Sequence, residues 1–230
     1  MPRDTLTRER IVAAAIELLD ADGPDGLSMR TLGTRLNSAA TAVYWHVGSK
    51  DNLMALAGDE VWHEVELPDP AAKGWREAAA DMATSLYAML TRHPWLVQIF
   101  GSYIIFGPGK ARHDDHAISI YEAAGFTGDE LDAAMTTVFT YVLGNALGHA
   151  AATSLPRNLG RDGADSQQRI DEAMARAVEI ASQFPHLRSR LGTETADYAA
   201  SPVHAFDYGL ATILDGLEAR LTRTGRKGAT

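Results

Sequence analysis

Apolar residues recur along this chain with helical spacing and are interrupted by turn-forming clusters. Val12, Ala15, Ile16 and Leu19 fall at i, i+3, i+4 and i+7, which predicts an amphipathic helix ending near Asp22-Gly23-Pro24. Met29, Leu32 and Leu36 form a second, shorter stripe on a helix that starts at Ser28, a residue able to cap it. Gly33 falls beside that stripe, where the missing side chain lets another helix approach closely. A polar turn, Asn37-Ser38, leads into a third short helix, and Gly48-Ser49 stops it and caps a fourth.

Beyond residue 49 the pattern stays helical. A linking helix is expected over 49–65 and ends at Leu67-Pro68-Asp69-Pro70, and a long helix over 71–92 closes at His93-Pro94. Further helices are expected over 95–106, 110–124, 127–153, 168–182 and 202–221. A loose stretch lies over 154–167, Phe184-Pro185 breaks the chain again, and 222–230 frays. No segment alternates with period two, and no internal repeat is visible. The pattern therefore predicts an all-α chain. A three-helix helix-turn-helix head, residues 1–50, joins through the linking helix to a larger helical domain, residues 51–230. Such a small head is viable only if it leans on something larger.

Composition narrows the functional classes. The chain has 230 residues, 46% of them hydrophobic, and no apolar run of the roughly 18 to 20 residues that span a bilayer. No signal-peptide pattern follows Met1, and the absence of cysteine excludes disulfides and thiolate metal sites, so a reducing cytoplasm is the expected location. The formal net charge of −9 is unevenly placed. Residues 1–50 hold six basic and six acidic residues, so the whole negative balance lies in the remaining 180. Phosphate would repel that body and leave the neutral head, with Arg30, Arg35 and Lys50, turned towards a nucleic acid.

The chemistry of the third helix agrees with that orientation. Tyr44, Trp45 and His46, followed by Lys50, gather aromatic and basic groups on an element of the right size for the major groove of B-DNA. The long helix over 127–153 places Gly144, Gly148 and Ala152 at i, i+4 and i+8, a strip that lets two helix backbones approach closely. Each glycine costs up to about 1 kcal/mol of helix propensity, so its packing gain should exceed that. The last helix carries Phe206, Leu210, Ile213, Leu214, Leu217 and Leu221. Both stripes together predict a two-fold, four-helix interface between two copies of the chain, with Gly144, Gly148, Ala152, Phe206, Leu210, Ile213 and Leu217 in it. Burial of both stripes inside one monomer is the alternative.

On these residues, the stretch 8–53 resembles the DNA-binding domain of the TetR family of transcriptional regulators. The run Tyr44-Trp45-His46-Val47 with Lys50 is similar to the tetracycline repressors, and weaker likeness continues through Trp75-Arg76, His93-Pro94-Trp95, Gly125-Phe126 and Leu143-Gly144. The resemblance implies an all-α homodimer, a double-stranded DNA operator, and a small-molecule inducer held in the C-terminal domain. By position it assigns Arg30 to base or phosphate contact and Ala40, Thr41, Tyr44, Trp45 and His46 to the groove. Lys50 goes to a phosphate at the start of the fourth helix, and Ser28 is counted with the DNA-contacting set. Ala40 replaces a longer polar residue of the tetracycline repressors, which implies a different operator. Thr41 is open between a thymine methyl and a phosphate. Gly148 stands where those repressors hold a carboxylate near their drug–magnesium complex, and His63 lies about one turn before their imidazole. Tetracycline–magnesium is therefore not the expected ligand.

An inducer pocket is expected between the linking helix and the helices over 71–92, 95–106 and 127–153. Trp62, Tyr87, Phe100, Tyr103, His116, Phe139, Asn145 and His149 are its candidate lining residues, suited to a flat, mostly apolar molecule. His113 and His116 have a spacing that could hold a metal but lack a third ligand, so 113–116 is read as a solvated, capped helix start and no metal or cofactor is expected. No HExxH, GxSxG or GxxxxGK motif is present, and the chain is not expected to be an enzyme. The competing readings are a helical protein-binding module and an all-α enzyme.

Overall fold

The computed structural model describes the backbone at 6–160, 166–191 and 203–227, and side chains at 6–151, 168–191 and 205–223. Within these residues the fold is all-α.

The head is built from α1 (Arg8–Gly26), α2 (Met29–Arg35) and α3 (Ala40–Val47). Thr7, Ser28 and Ser49 each accept a backbone N–H at the start of α1, α2 and α4 (Lys50–Val61), so three of the four helices open on a side-chain cap. Gly23 leaves the helical region at φ 71°, which bends α1 ahead of Pro24, and Gly48 ends α3 at φ 75°. Ile11, Ala15, Leu19, Leu32, Val43, Val47 and Leu53 close into one core. Gly33 sits so tightly under the turn that a Cβ would lie 2.9 Å from the Ser38 carbonyl oxygen and 3.2 Å from the Ala40 nitrogen. That close approach sets the angle between α2 and α3.

The linking helix is shorter than the pattern predicts. α4 stops at Val61, a 3-10 turn covers Trp62–Glu64, and Val65 is extended. The helix expected over 71–92 is broken by Gly74 at φ 82° into α5 (Pro70–Lys73) and α6 (Trp75–Arg92). The apolar run over 95–106 is helical only in α7 (Pro94–Ile99). Gly101 and Ser102 weaken it there. Ile105 then packs on Gly58 of α4, where a built Cβ would lie 3.0 Å away, and this holds the following segment out of the helix.

α8 (Pro108–Ala124) ends on Gly125 in the left-handed region, and α9 (Gly128–Gly160) runs on through 154–160, where a loose stretch is predicted. A proline removes one backbone donor without forbidding the helix beyond it. Residues 161–165 lie outside the described residues. α10 (Ser166–Ser182), α11 (Pro185–Arg188) and α12 (Val203–Lys227) complete the chain, with α12 extending past the predicted end at 221. α6 and α7 pack on α9, α8 lies across α4 and α6, and α12 lies against α9. No helix among the described residues is long and apolar enough to cross a membrane.

Candidate functional site

Two regions carry chemistry that the core does not need. The first is the outer face of α3. Val43 and Val47 point inward and are buried, which turns Thr41, Tyr44 and Trp45 outward. Trp45 is 83% exposed and Tyr44 47%, and the His46 ring packs edge-on against Trp45 at 4.9 Å. Apolar rings left in water on so short a helix indicate a surface made for a partner. Arg30 is exposed on α2, while Arg35 is engaged with Glu17 of α1 at 2.5 Å. Ala40 is half-buried at the first position of α3. The Ser28 hydroxyl accepts from Thr31 N at 3.0 Å, so it serves α2 as its cap. The Lys50 ammonium lies 3.4 Å from the Pro24 carbonyl, turned towards the end of α1. Six of the eight expected DNA contacts, Arg30, Ala40, Thr41, Tyr44, Trp45 and His46, therefore stand on α3 and the neighbouring α2 face.

The second region is a cavity of about 270 Å³ between α6, α8 and α9. Its apolar walls include Met82 and Leu86 of α6, Ile120 of α8, and Val138, Phe139 and Val142 of α9. Its polar end is the first two turns of α8. There the Lys110 ammonium donates to both Asp114 oxygens at 2.5 and 2.6 Å and lies 4.9 Å from the Trp62 ring centre and 5.4 Å from that of Phe139. Burial pushes the His113 imidazole below its ordinary pKa, against the hydrogen bond to Asp114 at 3.0 Å. Burial works the other way on Asp114, yet the hydrogen bonds from His113 and Lys110 hold its carboxyl below the usual range. Tyr121, at the far end of the cavity face of α8, has its hydroxyl pKa raised by burial alone.

Of the eight residues expected to line a pocket, Phe139 alone does so directly. Trp62 and Phe100 pack around the Phe139 ring at 6.4 and 6.3 Å, with Trp62 also 4.8 Å from His113. The others are corrections. Tyr87 stacks on Phe206 of α12 at 4.2 Å, on the other side of α6. Tyr103 belongs to a separate shallow groove beside Asp51 and Ala55. The His116 ring bonds the Pro68 carbonyl at 2.8 Å, Asn145 donates to the Tyr141 carbonyl one turn back, and His149 is exposed. The stretch 113–116 is not a solvated helix start, because His113 is 7% exposed and faces the cavity. Lys110, His113, Ala117 and Tyr121 share one helical face, a spacing that was open to view in the sequence. Among the described residues no group of three metal-ligating side chains converges.

Gly144 and Gly148 are exposed, with nothing within 4 Å of where a Cβ would stand, and Leu147 on α9 and Tyr208 on α12 are exposed as well. Phe206, Leu210 and Leu217 are buried in this chain's own core, so their stripe is spent internally, and Ile213 is half-buried. The Ala152 side chain lies outside the described residues.

Two joints tie α4 to α8 and α1 to the helices of the body. Asp59 of α4 accepts from Lys110 N at 2.9 Å and Gly109 N at 3.1 Å, capping α8 from another helix. Gly109 lies so close that a Cβ would collide with the Asp59 carbonyl. At the other joint the buried His93 ring, between α6 and α7, places Nδ1 2.7 Å from an Asp20 carboxylate oxygen of α1 and Nε2 3.1 Å from one of Glu64. Trp95 Nε1 also donates to Asp20, at 2.7 Å, and Arg92 pairs with Glu64.

Comparison with known proteins places these features together. Residues 11–57 match the model described as bacterial regulatory proteins, tetR family, and residues 67–221 match the tetracyclin repressor-like C-terminal domain. An HTH-type transcriptional regulator of Saccharopolyspora erythraea is 34% identical over 214 residues, covering 93% of this chain and 85% of that protein. The HTH-type transcriptional repressor DrrR1 of Streptomyces coeruleorubidus is 33% identical over 218 residues, covering 94% and 79%. Among solved structures, the TetR family protein ActR of Streptomyces coelicolor in complex with actinorhodin matches with a TM-score of 0.69 at 28% identity, covering 94% of this chain and 99% of that one.

Proposed function

The chain belongs to the tetR family of bacterial regulatory proteins and is a transcriptional regulator; from that premise we propose a ligand-released repressor that binds a palindromic operator as a homodimer. The head, residues 1–50, reads DNA, and residues 51–230 bind ligand and dimerise. Two copies of α3 enter successive major grooves about 34 Å apart. Thr41, Tyr44, Trp45 and His46 face the groove, Arg30 reaches a base or phosphate, and Ser28 and Lys50 flank them. The subunits meet along the outer faces of α9 and α12, where Gly144, Gly148, Leu147 and Tyr208 lie exposed. The ligand is a small, largely apolar or aromatic molecule. DrrR1 is named a repressor and ActR is solved with actinorhodin bound, which supports both halves of this reading.

One observation carries the coupling. Asp59 ties the linking helix to the same end of α8 that presents Lys110, His113 and Asp114 to the cavity. A ligand that displaces this end moves α4, and with it the head. To change occupancy from 99:1 to 1:99, it must favour the non-binding arrangement about 10⁴-fold, or roughly 5.5 kcal/mol. The test is selection of the bound duplex from a random pool, followed by affinity against salt. A palindromic site with steep salt dependence is expected. A non-palindromic site, or a monomer by sedimentation at micromolar concentration, would refute the dimeric reading.

A further inference from the structure

One buried ring joins three parts of the chain. His93 closes α6 with its backbone N–H on the Met89 carbonyl at 2.9 Å, and its own carbonyl accepts from Leu96 N of α7 at 2.9 Å. Pro94 keeps it out of the helical region between the two, so both helices fix the ring, which is 3% exposed. Its Nδ1 lies 2.7 Å from Asp20 Oδ1 on α1 of the head, and its Nε2 lies 3.1 Å from Glu64 Oε1 on the turn after the linking helix. The same Asp20 oxygen accepts from Trp95 Nε1, and the second Glu64 oxygen accepts from Arg92. Ionised carboxylates only accept, and a neutral imidazole has one N–H and one bare lone pair. A neutral ring here turns its lone pair on one of the two acids, whereas an imidazolium donates to both. Placing the missing proton on an acid instead is the poorer solution, because Trp95 and Arg92 already donate to both acids. The charges then balance, Asp20 and Glu64 against His93 and Arg92. Along the groove that Glu64 and Arg92 share, the other charged groups are Glu66 and Asp81, the latter paired with Lys73, and α7 carries no charge.

We propose that His93 is a proton-controlled clamp: its imidazolium ties α1 to the linking segment and the body, and loss of one proton frees the head to move. Histidine is the side chain suited to this, since it gains or loses its charge near neutral pH. A head already fixed on its body gives up less freedom when it meets DNA, so proton loss also weakens operator binding. The tie belongs to the folded chain and is read without DNA, and its effect on the operator rests on the repressor reading.

The test combines the nitrogen NMR spectrum of the ring, assigned by its loss in His93→Gln, with hydrogen exchange along Ile11–Leu19 of α1, corrected for the pH dependence of unprotected amides. At neutral pH both ring nitrogens should carry a proton. As pH rises and one proton leaves, protection of α1 should fall about tenfold, the scale of one hydrogen bond to a charged group. His93→Gln, whose single amide nitrogen cannot meet both acids, should show the reduced protection at every pH. Glu64→Gln can donate to a neutral ring and still accept from Arg92, so it should hold α1 tightly at every pH. A clamp built on charge predicts opposite outcomes for these two substitutions, and Glu64→Gln with the wild-type spectrum decides the matter where His93→Gln does not fold. A single protonated nitrogen at neutral pH, a ring that keeps both protons across the alkaline range, protection that ignores proton loss, or a Glu64→Gln chain that follows the wild type would overturn the proposal. Operator affinity is read as the ratio of wild type to Glu64→Gln, which cancels any effect of His46 on α3, and this ratio should fall as pH rises. A constant ratio, with α1 loosened as expected, would uphold the clamp and refute instead the reading that the freedom of the head governs operator binding.

Discussion

The outer face of α3 and the wall of the α6–α8–α9 cavity are both unfinished, in opposite senses. α3 leaves Trp45 and Tyr44 in water, and burying a side chain of that size is worth about 2–3 kcal/mol that the isolated chain forgoes. The cavity has the reverse deficit: its rings are packed, and the buried Trp62 Nε1 beside it lacks a partner. A buried donor without an acceptor costs about 1–3 kcal/mol. One region awaits apolar and stacking contact from outside, the other awaits acceptors from inside. The joints between them, at Asp59 and His93, are fully bonded. Hydrogen-bonded joints between two incomplete surfaces are what a relay between two partners requires.

The largest effect is expected on the head. Tyr44→Ala combined with Trp45→Ala should weaken operator binding about 10³-fold, roughly 4 kcal/mol, and leave thermal stability within about 0.5 kcal/mol. Fluorescence anisotropy with a melting curve checks both. A large loss of stability would mean that these rings are structural and would end the contrast. Gly33→Ala probes the same head from beneath. The new methyl meets the Ser38 carbonyl and the Ala40 nitrogen, backbone atoms that cannot swing away, so about 2 kcal/mol of stability should be lost together with operator affinity.

Asp59→Ala addresses the relay. Removing the cap of α8 should cost about 1–2 kcal/mol. Ligand affinity measured without DNA should fall little, while the ligand concentration needed to release operator rises. Equal shifts in both would place Asp59 in the cavity and out of the relay. The smallest effect concerns pH. The folded-state pKa of His113 lies below its unfolded value of about 6.5, so the unfolded chain binds the extra proton first. The stability that His113 contributes is full above that value and declines as pH falls through it. Denaturant titrations should show a shallower decline below pH 6.5 for His113→Gln.

Much of the head was legible because its rules are local. Ser28 and Ser49 cap, Gly48 terminates, and Val43 and Val47 face inward, each decided by a few neighbouring residues. The outward position of Trp45 followed from the inward position of those valines. The body was less legible because its decisions are tertiary. Ile105 leaves the helical pattern to meet Gly58, and Gly74 breaks a helix whose apolar period runs through it. The cavity exists because α6, α8 and α9 splay where Lys110, His113 and Tyr121 face inward, and the spacing of one helix does not reveal where three will part. Phe206 and Leu210 form a stripe that reads equally well as a dimer face, and only the packing of α12 on α9 assigns it to the chain's own interior.

The central claim is that cavity occupancy sets the separation of two α3 helices. The chain has no cysteine, so Thr34→Cys on the exposed side of α2 gives a single spin-label site in each subunit. Electron–electron dipolar spectroscopy, with and without a saturating compound that releases the operator, then reads the distance between the two heads directly. A single inter-subunit distance that shifts by on the order of 2–5 Å when the cavity fills is the predicted result. A distance unchanged at saturation, or no inter-subunit coupling at all, would contradict the account.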